Sequence, residues 1–248
     1  MSELSLKAMS PDEQITISMA SIPSRLDGMI EVVEQLLPSC DHFDISLNGY
    51  PAIDHPLFHD PKVHIIHSDP EMGARGKFLM SARTPGYHVI VDDDIHYPAD
   101  YVMKMVEHVE HFKRRAVVGV HGKLFVFRKP PDPITYEYFN YIYELNRYRM
   151  VHMLGTGTIA YHSSAFPLDA SDLGPGKIDD QVAIYCQENY IPQVVVPRPQ
   201  NWMQDMEDVS VRNALRKDPV LKRIASDRIA NYPHWRLFDP GSTMCRDW

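Results

Sequence analysis

Tyr87-His88-Val89-Ile90-Val91-Asp92-Asp93-Asp94-Ile95 is the stretch on which the reading of the chain turns. A short apolar run rich in Val and Ile predicts a buried strand. It ends in three consecutive carboxylates. In α/β proteins ligands bind at the carboxyl ends of strands, so these charges fall where a ligand would sit. Adjacent like charges repel unless a cation or a hydrogen-bond network offsets them. Alternate side chains at a strand end point the same way. Asp92 and Asp94 can therefore converge on one ion, or one can hold a metal and the other a ribose. Hard oxygen ligands suit Mg2+ or Mn2+, which usually also bind substrate phosphates. A solvated acidic turn capping the next helix is the alternative account of the same run.

Working outward, Ile15–Ala20 reads as a first strand. Ser24 and Asp27 fit a capping box ahead of a helix whose apolar face is Leu26, Met29, Ile30, Val33, Leu36 and Leu37. Phe43–Leu47 and Val63–Ile66 read as the second and third strands, and 72–83 as a helix opened by Gly73. The fourth strand carries the carboxylates. Pro98 suits the first turn of the helix that follows, with an apolar stripe of Val102, Met105, Val106, Val109 and Phe112. Further strands are predicted at 116–120, 153–161 and 193–196, and a helix at 179–189. Residues 136–149, rich in Tyr and Arg, read as a helix or an ordered loop, Pro130–Pro133 as a loop, and the chain from Asp205 onward as polar and helical. Alternating strands and helices predict an α/β fold with a mostly parallel central sheet and helices on both faces.

The 248 residues, 44% hydrophobic and 23% charged, suffice for one large α/β domain. A net charge of -8 argues against a nucleic-acid partner, which calls for a basic face. Cys40, Cys186 and Cys245 form no zinc or disulfide pattern. The start of the chain lacks the apolar core of a signal peptide, and no window approaches a membrane span. The expectation is a cytoplasmic protein, with peripheral membrane contact left open.

The order of these features resembles a known family. Ile15–Ala20 is followed by Ile22-Pro23-Ser24-Arg25, then Asn48 after the second strand. Gly73-Ala74-Arg75-Gly76-Lys77 comes next, and then Asp92-x-Asp94. The set resembles the nucleotide-sugar half of a GT-A fold glycosyltransferase, most like the broad family 2 group, over roughly residues 13–200. The resemblance implies a single GT-A-like domain with a Rossmann-like nucleotide half (13–115), an acceptor half (116–200) and a C-terminal helical extension (201–248). It implies a nucleoside-diphosphate sugar donor, a UDP-sugar, and a glycan or glycolipid acceptor. Ala20, Ser21 and Arg25 would line the nucleotide, and Asn48 would lie at the next strand's end. Asp69 would approach the base, and Arg75 and Lys77 the ribose or diphosphate. Asp92 would meet the ribose or the metal, Asp93 would help to position the group, and Asp94 would ligate Mn2+ or Mg2+. A late histidine, His234, is the candidate third ligand. Arg75 and Lys77 also stand without the resemblance, because cations at a helix start suit an anion.

Lys177-Ile178-Asp179-Asp180 places an acidic pair at a helix start. The resemblance assigns the second member as the base that deprotonates the acceptor hydroxyl. Asp180 is thus the first candidate and Asp179 the second, and a base so placed would make the transfer inverting. Capping and the helix dipole also favour Asp there. Gly155-x-Gly157 is followed by a strand-like segment and so fails the test for a dinucleotide loop; a close-packed wall near the sugar or acceptor, or a simple turn, suits it better. Among the remaining candidates are His121, His152 and His162. Tyr136, Tyr138, Tyr141, Tyr143 and Tyr148 form an aromatic cluster, joined by Trp202, suited to sugar stacking or packing. The rival activities are a sugar nucleotidyltransferase, disfavoured because Ser21–Arg25 has no glycine, and a non-catalytic sugar-nucleotide or glycan-binding subunit.

Overall fold

The computed structural model describes residues 13–81, 83–126, 135–174, 176–206 and 227–241. Its centre is an eight-stranded mixed sheet. In chain order the elements begin with β1 (Ile15–Ser21), α1 (Leu26–Leu36), β2 (His42–Asn48), β3 (Val63–Ser68), β4 (Tyr87–Val91), β5 (Ile95–His96) and α2 (Tyr101–His111). They continue with β6 (Val117–Gly119), β7 (Gly122–Val126), β8 (Thr135–Phe139), β9 (Arg149–Met150), β10 (Met153–Leu154) and β11 (Thr158–His162). The last are α3 (Ile178–Glu188), β12 (Gln193–Val195) and β13 (Gln204–Asp205). The sheet order is β3-β2-β1-β4-β11-β6-β12-β9. β1 to β4 pair in parallel, as do β6 and β12, whereas β11 runs antiparallel to β4 and β6, and β9 antiparallel to β12. Strands from the first half and from the 116–200 segment therefore share one sheet.

Successive β4 side chains enter opposite cores, as strand alternation demands. Val89 and Val91 pack with Ile17, Met29 and Val33 and with Met105 of α2. Ile90 packs on the other face with Ile159 and with Val182 of α3. Helices thus cover both faces, α1 and α2 on one and α3 on the other. Burial on both sides explains why β4 reads as a continuous apolar run. Among the described residues no helix is long and apolar enough to cross a membrane.

Several local expectations are corrected. Ser24 and Asp27 do not cap α1: Pro23–Arg25 form a 3-10 turn, and α1 follows with Arg25 at its N-cap and no side-chain cap. Proline draws Ser24 into the turn, one residue ahead of the N-cap position that Arg25 occupies. The helix expected at 72–83 is instead a 3-10 segment, Pro70–Phe78, interrupted at Gly73 (φ 52°, ψ -142°). Only glycine adopts that conformation without strain. Pro98 lies before α2 rather than in its first turn, its carbonyl accepting from Tyr101 N at 2.9 Å. Tyr136–Phe139 is strand rather than helix, part of β8 in the three-stranded sheet β10-β7-β8. Its tyrosines recur every second residue, which suits a strand. The strand expected at 153–161 splits at Gly155–Gly157 into β10 of the small sheet and β11 of the large one. Asp205, expected to begin a helical stretch, instead pairs with β5 as part of β13; residues 227–231 are helical. Pro130–Pro133, 207–226 and Cys245 lie outside the described residues.

His88 of β4 is fully buried, stacked 5.2 Å from Tyr161, with Nε2 donating to Thr84 O at 2.8 Å. Burial lowers its pKa to about 4, and burial does the same to His152. The unfolded imidazole takes up a proton near 6.5. Stability from each group is therefore complete above pH 6.5 and is lost as pH falls towards 4. Urea unfolding at pH 7 and pH 5 should show a fall of about 2 kcal/mol for each of the two. His88→Phe should remove its share of the fall; an undiminished fall would show that His88 is not the group.

Candidate functional site

β1 lies between β2 and β4, and the strand order reverses there: the chain moves from β1 outward to β3, then returns to β4 on the other side. The crevice beyond the carboxyl ends at such a reversal is the usual ligand position in open α/β sheets. Ser21 ends β1 and Arg25 follows it, and Asp92, Asp93 and Asp94 follow β4. The register places Met19 beside Val91, so the two ends are adjacent.

The repulsion among the carboxylates is offset by two cations from different elements. Arg25 Nη1 lies 2.7 Å from Asp93 Oδ1 and 3.1 Å from Asp94 Oδ2. Lys77 Nζ pairs with Asp92 Oδ1. Burial works against the charge on Lys77, and the Asp92 carboxylate outweighs it, so the lysine's pKa is raised. Burial likewise opposes the charge on Arg25, but Asp93 and Asp94 hold it above its ordinary value. Burial pushes the Asp93 carboxyl upward, with Arg25 opposing.

The backbone of Asp92 is fixed separately. Its N–H donates to the Tyr97 hydroxyl at 2.8 Å, which donates in turn to Gly157 O at 2.7 Å. This bridge ties the end of β4 to the turn between β10 and β11. A Cβ on Gly157 would lie 1.8 Å from Asp92 Oδ2, so the turn packs this closely against the carboxylate only with glycine at that position. In the same turn Thr156 donates to Asp179 Oδ1 from its N–H at 2.9 Å and from Oγ1 at 2.7 Å. A Cβ on Gly155 would overlap the imidazole of His121. The close-packed wall expected at 155–157 is therefore present, and it stands against Asp92.

The structure brings Arg25, Lys77, Asp92, Asp93, Asp94 and Asp179 into one charged group; Asp179 bears on Lys77 through space. Asp180 is placed differently. Its side chain is 2% exposed, Oδ2 lies 3.4 Å from Arg228 Nη1, and Oδ1 has no hydrogen-bond partner among the described residues. Burial pushes this carboxyl upward, with Arg228 opposing. Ser21 Oγ hydrogen-bonds the Tyr50 hydroxyl at 2.9 Å. Ala20, half-buried, lies beside Gly76.

Other candidates hold the 70–78 segment or pack elsewhere in the fold. Asn48 accepts from Ser46 at 2.9 Å and Ser68 at 2.5 Å and donates to Gly73 O at 2.9 Å, pinning the 70–78 segment. Asp69 caps that segment through Glu71 N at 2.8 Å. Arg75 donates to the carbonyls of Glu71, Met72 and Leu173. His234 is exposed, and among the described residues no three His, Cys, Asp or Glu side chains form a metal-holding group. His152 packs between Phe125 and Trp235, and His162 lies edge-on to Tyr87. Tyr148 belongs to a cluster with His108, His111 and Phe112, and Trp202 leans on Tyr101.

Tyr50, Tyr97, Thr156 and Arg228 were not singled out by sequence. The Gly-Thr-Gly spacing was the one signal that could have led to Thr156. No family model matches the chain, and no curated protein matches it.

Two consequences are measurable. Lys77→Met leaves the Asp92 carboxylate without its buried cation and should cost about 3 kcal/mol in urea unfolding. Asp92→Asn added to it should recover part of that loss; full additivity in the double-mutant cycle would show that the two do not interact. Gly157→Ala should cost about 1–3 kcal/mol through overpacking on Asp92, and an unchanged melting curve would refute the close approach.

Proposed function

We propose that the protein is a glycosyltransferase with a GT-A-like architecture that transfers a sugar from a nucleoside-diphosphate sugar, a UDP-sugar, to a glycan hydroxyl. The observation that supports this reading most is the Asp92–Asp94 group at the β1/β4 reversal, countered by Arg25 and Lys77, with the Asp92 side chain still 33% exposed. A crevice with carboxylates and cations in alternation suits a ligand that brings both a divalent ion and a diphosphate.

Two carboxylates fit a hard divalent cation whose remaining positions are filled by phosphate oxygens and water. Asp94 and Asp92 would hold Mn2+ or Mg2+, and the partial exposure of both carboxylates, 14% and 33%, is compatible with that. Such an ion, when bound, supplies electrostatic stabilisation to the departing diphosphate. Arg25 and Lys77 orient the carboxylates and place positive charge beside the donor. Thr156 holds Asp179 against the turn that faces Asp92. Asp180 acts as the base: burial gives its carboxylate a higher proton affinity than an exposed one, which suits proton removal. Arg228 must yield for an acceptor hydroxyl to reach it.

The alternative of a sugar nucleotidyltransferase draws less support, since the β1 end carries Pro23 and Arg25 without a glycine-rich loop. A binding subunit would keep the crevice and lack turnover.

Donor hydrolysis and transfer should be measured with a panel of sugar nucleotides and Mn2+. Asp94→Asn should weaken metal-dependent UDP binding, and Asp180→Asn should lower kcat by about 10²–10⁴-fold with UDP binding retained. Binding without turnover of any donor, or Asp180→Asn indistinguishable from wild type, would remove the base assignment. Pyrophosphate release from a nucleoside triphosphate would favour the nucleotidyltransferase.

A further inference from the structure

The tyrosines of β8 are not used by the donor crevice, yet the register brings them to its side. Lys123 faces Tyr138 and Phe125 faces Tyr136 across the β7–β8 ladder. Directly opposed residues of an antiparallel pair share a face, and so do alternate residues along each strand. Lys123, Phe125, Tyr136 and Tyr138 therefore lie on one side of the hairpin. Phe125 on that side packs in one cluster with Met153 and with Ala183, and Ala183 lies one helical turn beyond Asp179 and Asp180. The hairpin face thus abuts the helix that carries the acidic pair.

Tyr138 is also joined to the crevice from within. Its ring centroid is 6.0 Å from that of His121, in an edge-on arrangement. His121 lies against Gly155, whose neighbour Thr156 holds Asp179. A path of rings leads from the surface to the carboxylates. At its outer end Tyr136 is 53% exposed and Tyr138 43% exposed. Lys123 Nζ stands 4.8 Å from the Tyr136 ring and 5.9 Å from the Tyr138 ring.

We propose that this face, Lys123 with Tyr136 and Tyr138, is the acceptor subsite, and that it takes a pyranose bearing a carboxylate or a phosphate. The inference rests on the transferase reading above. An exposed aromatic face matches the apolar C–H side of a pyranose. Ring edges carry positive potential, and the Lys123 ammonium adds a full positive charge beside them. Both favour an anionic substituent at the margin of the sugar. Strand pairing holds both tyrosines in place before the ligand arrives, which lowers the ordering cost of binding.

Ligand-observed NMR titration of the full chain with methyl glucuronide, glucose 6-phosphate and methyl glucoside tests this without turnover. At least one anionic sugar should bind about fivefold more tightly than the neutral glycoside, the scale of one exposed ion pair. Which anionic sugar shows the preference identifies carboxylate or phosphate as the substituent. Lys123→Gln should abolish the preference and leave methyl glucoside unchanged. Tyr136→Ser, at a position more than half exposed, should weaken all three. UDP with Mn2+ should not displace them. Equal affinity for the neutral sugar, a preference that survives Lys123→Gln, or displacement by UDP would overturn the inference. Failure of UDP and Mn2+ to bind, with the charge preference intact, would instead sink the donor reading alone.

Discussion

Charge neutralisation at the end of β4 is the constraint on which the crevice depends. A strand buried on both faces delivers three carboxylates to one edge of the sheet, and they are tolerable because Arg25 and Lys77 arrive from either side. Neither cation is local in sequence. Arg25 is delivered by the 3-10 turn after β1, and Lys77 by the kinked segment that Asn48 and Gly73 pin down. The parallel pairing of β1 with β2 and β4 brings these connections to the same edge. Sheet topology, two irregular connections and one electrostatic requirement are therefore aspects of one arrangement.

A second requirement is close approach. The 155–157 turn passes so near Asp92 and His121 that side chains are not accommodated at either glycine. The Tyr97 hydroxyl fastens that approach by bridging Asp92 N and Gly157 O, and Thr156 extends it to Asp179. Asp92 and Asp179 are thus connected through one turn and not only through the field between them. The separation of Asp179 from Asp180 follows: one is held by the turn, while the other is buried beneath Arg228.

Much of the sheet was legible in the sequence. β1 to β4 and the helices α1, α2 and α3 announce themselves by apolar runs and helical periodicity, because each is buried on a predictable face. The α/β class followed from that alternation. What failed had non-local causes. Tyr136 and Tyr138 resemble any Tyr-rich segment until β7 is available to pair with them. The run 153–161 gives no sign that its two ends belong to different sheets. The segment after Asp69 reads as helical until the positive φ of Gly73 is known. Within the crevice, carboxylate type and order were readable, and the partners were not: the Arg25–Asp93 pair spans 68 residues, and nothing in Ile95-His96-Tyr97 marks a phenol that binds backward to Asp92.

The position of β11 has a consequence for how the chain can be divided. It enters the sheet between β4 and β6 and runs antiparallel to both, yet it follows β4 by more than sixty residues of sequence. A piece ending near residue 115 would hold β1 to β4 with β4 as a bare, apolar edge, the kind that pairs indiscriminately with other chains. The first half of the sheet is thus not a separable module. In a chain emerging from the ribosome, the acidic run must wait for residues 158–162 before its strand acquires a second neighbour, so the charged edge is completed late and from a distance.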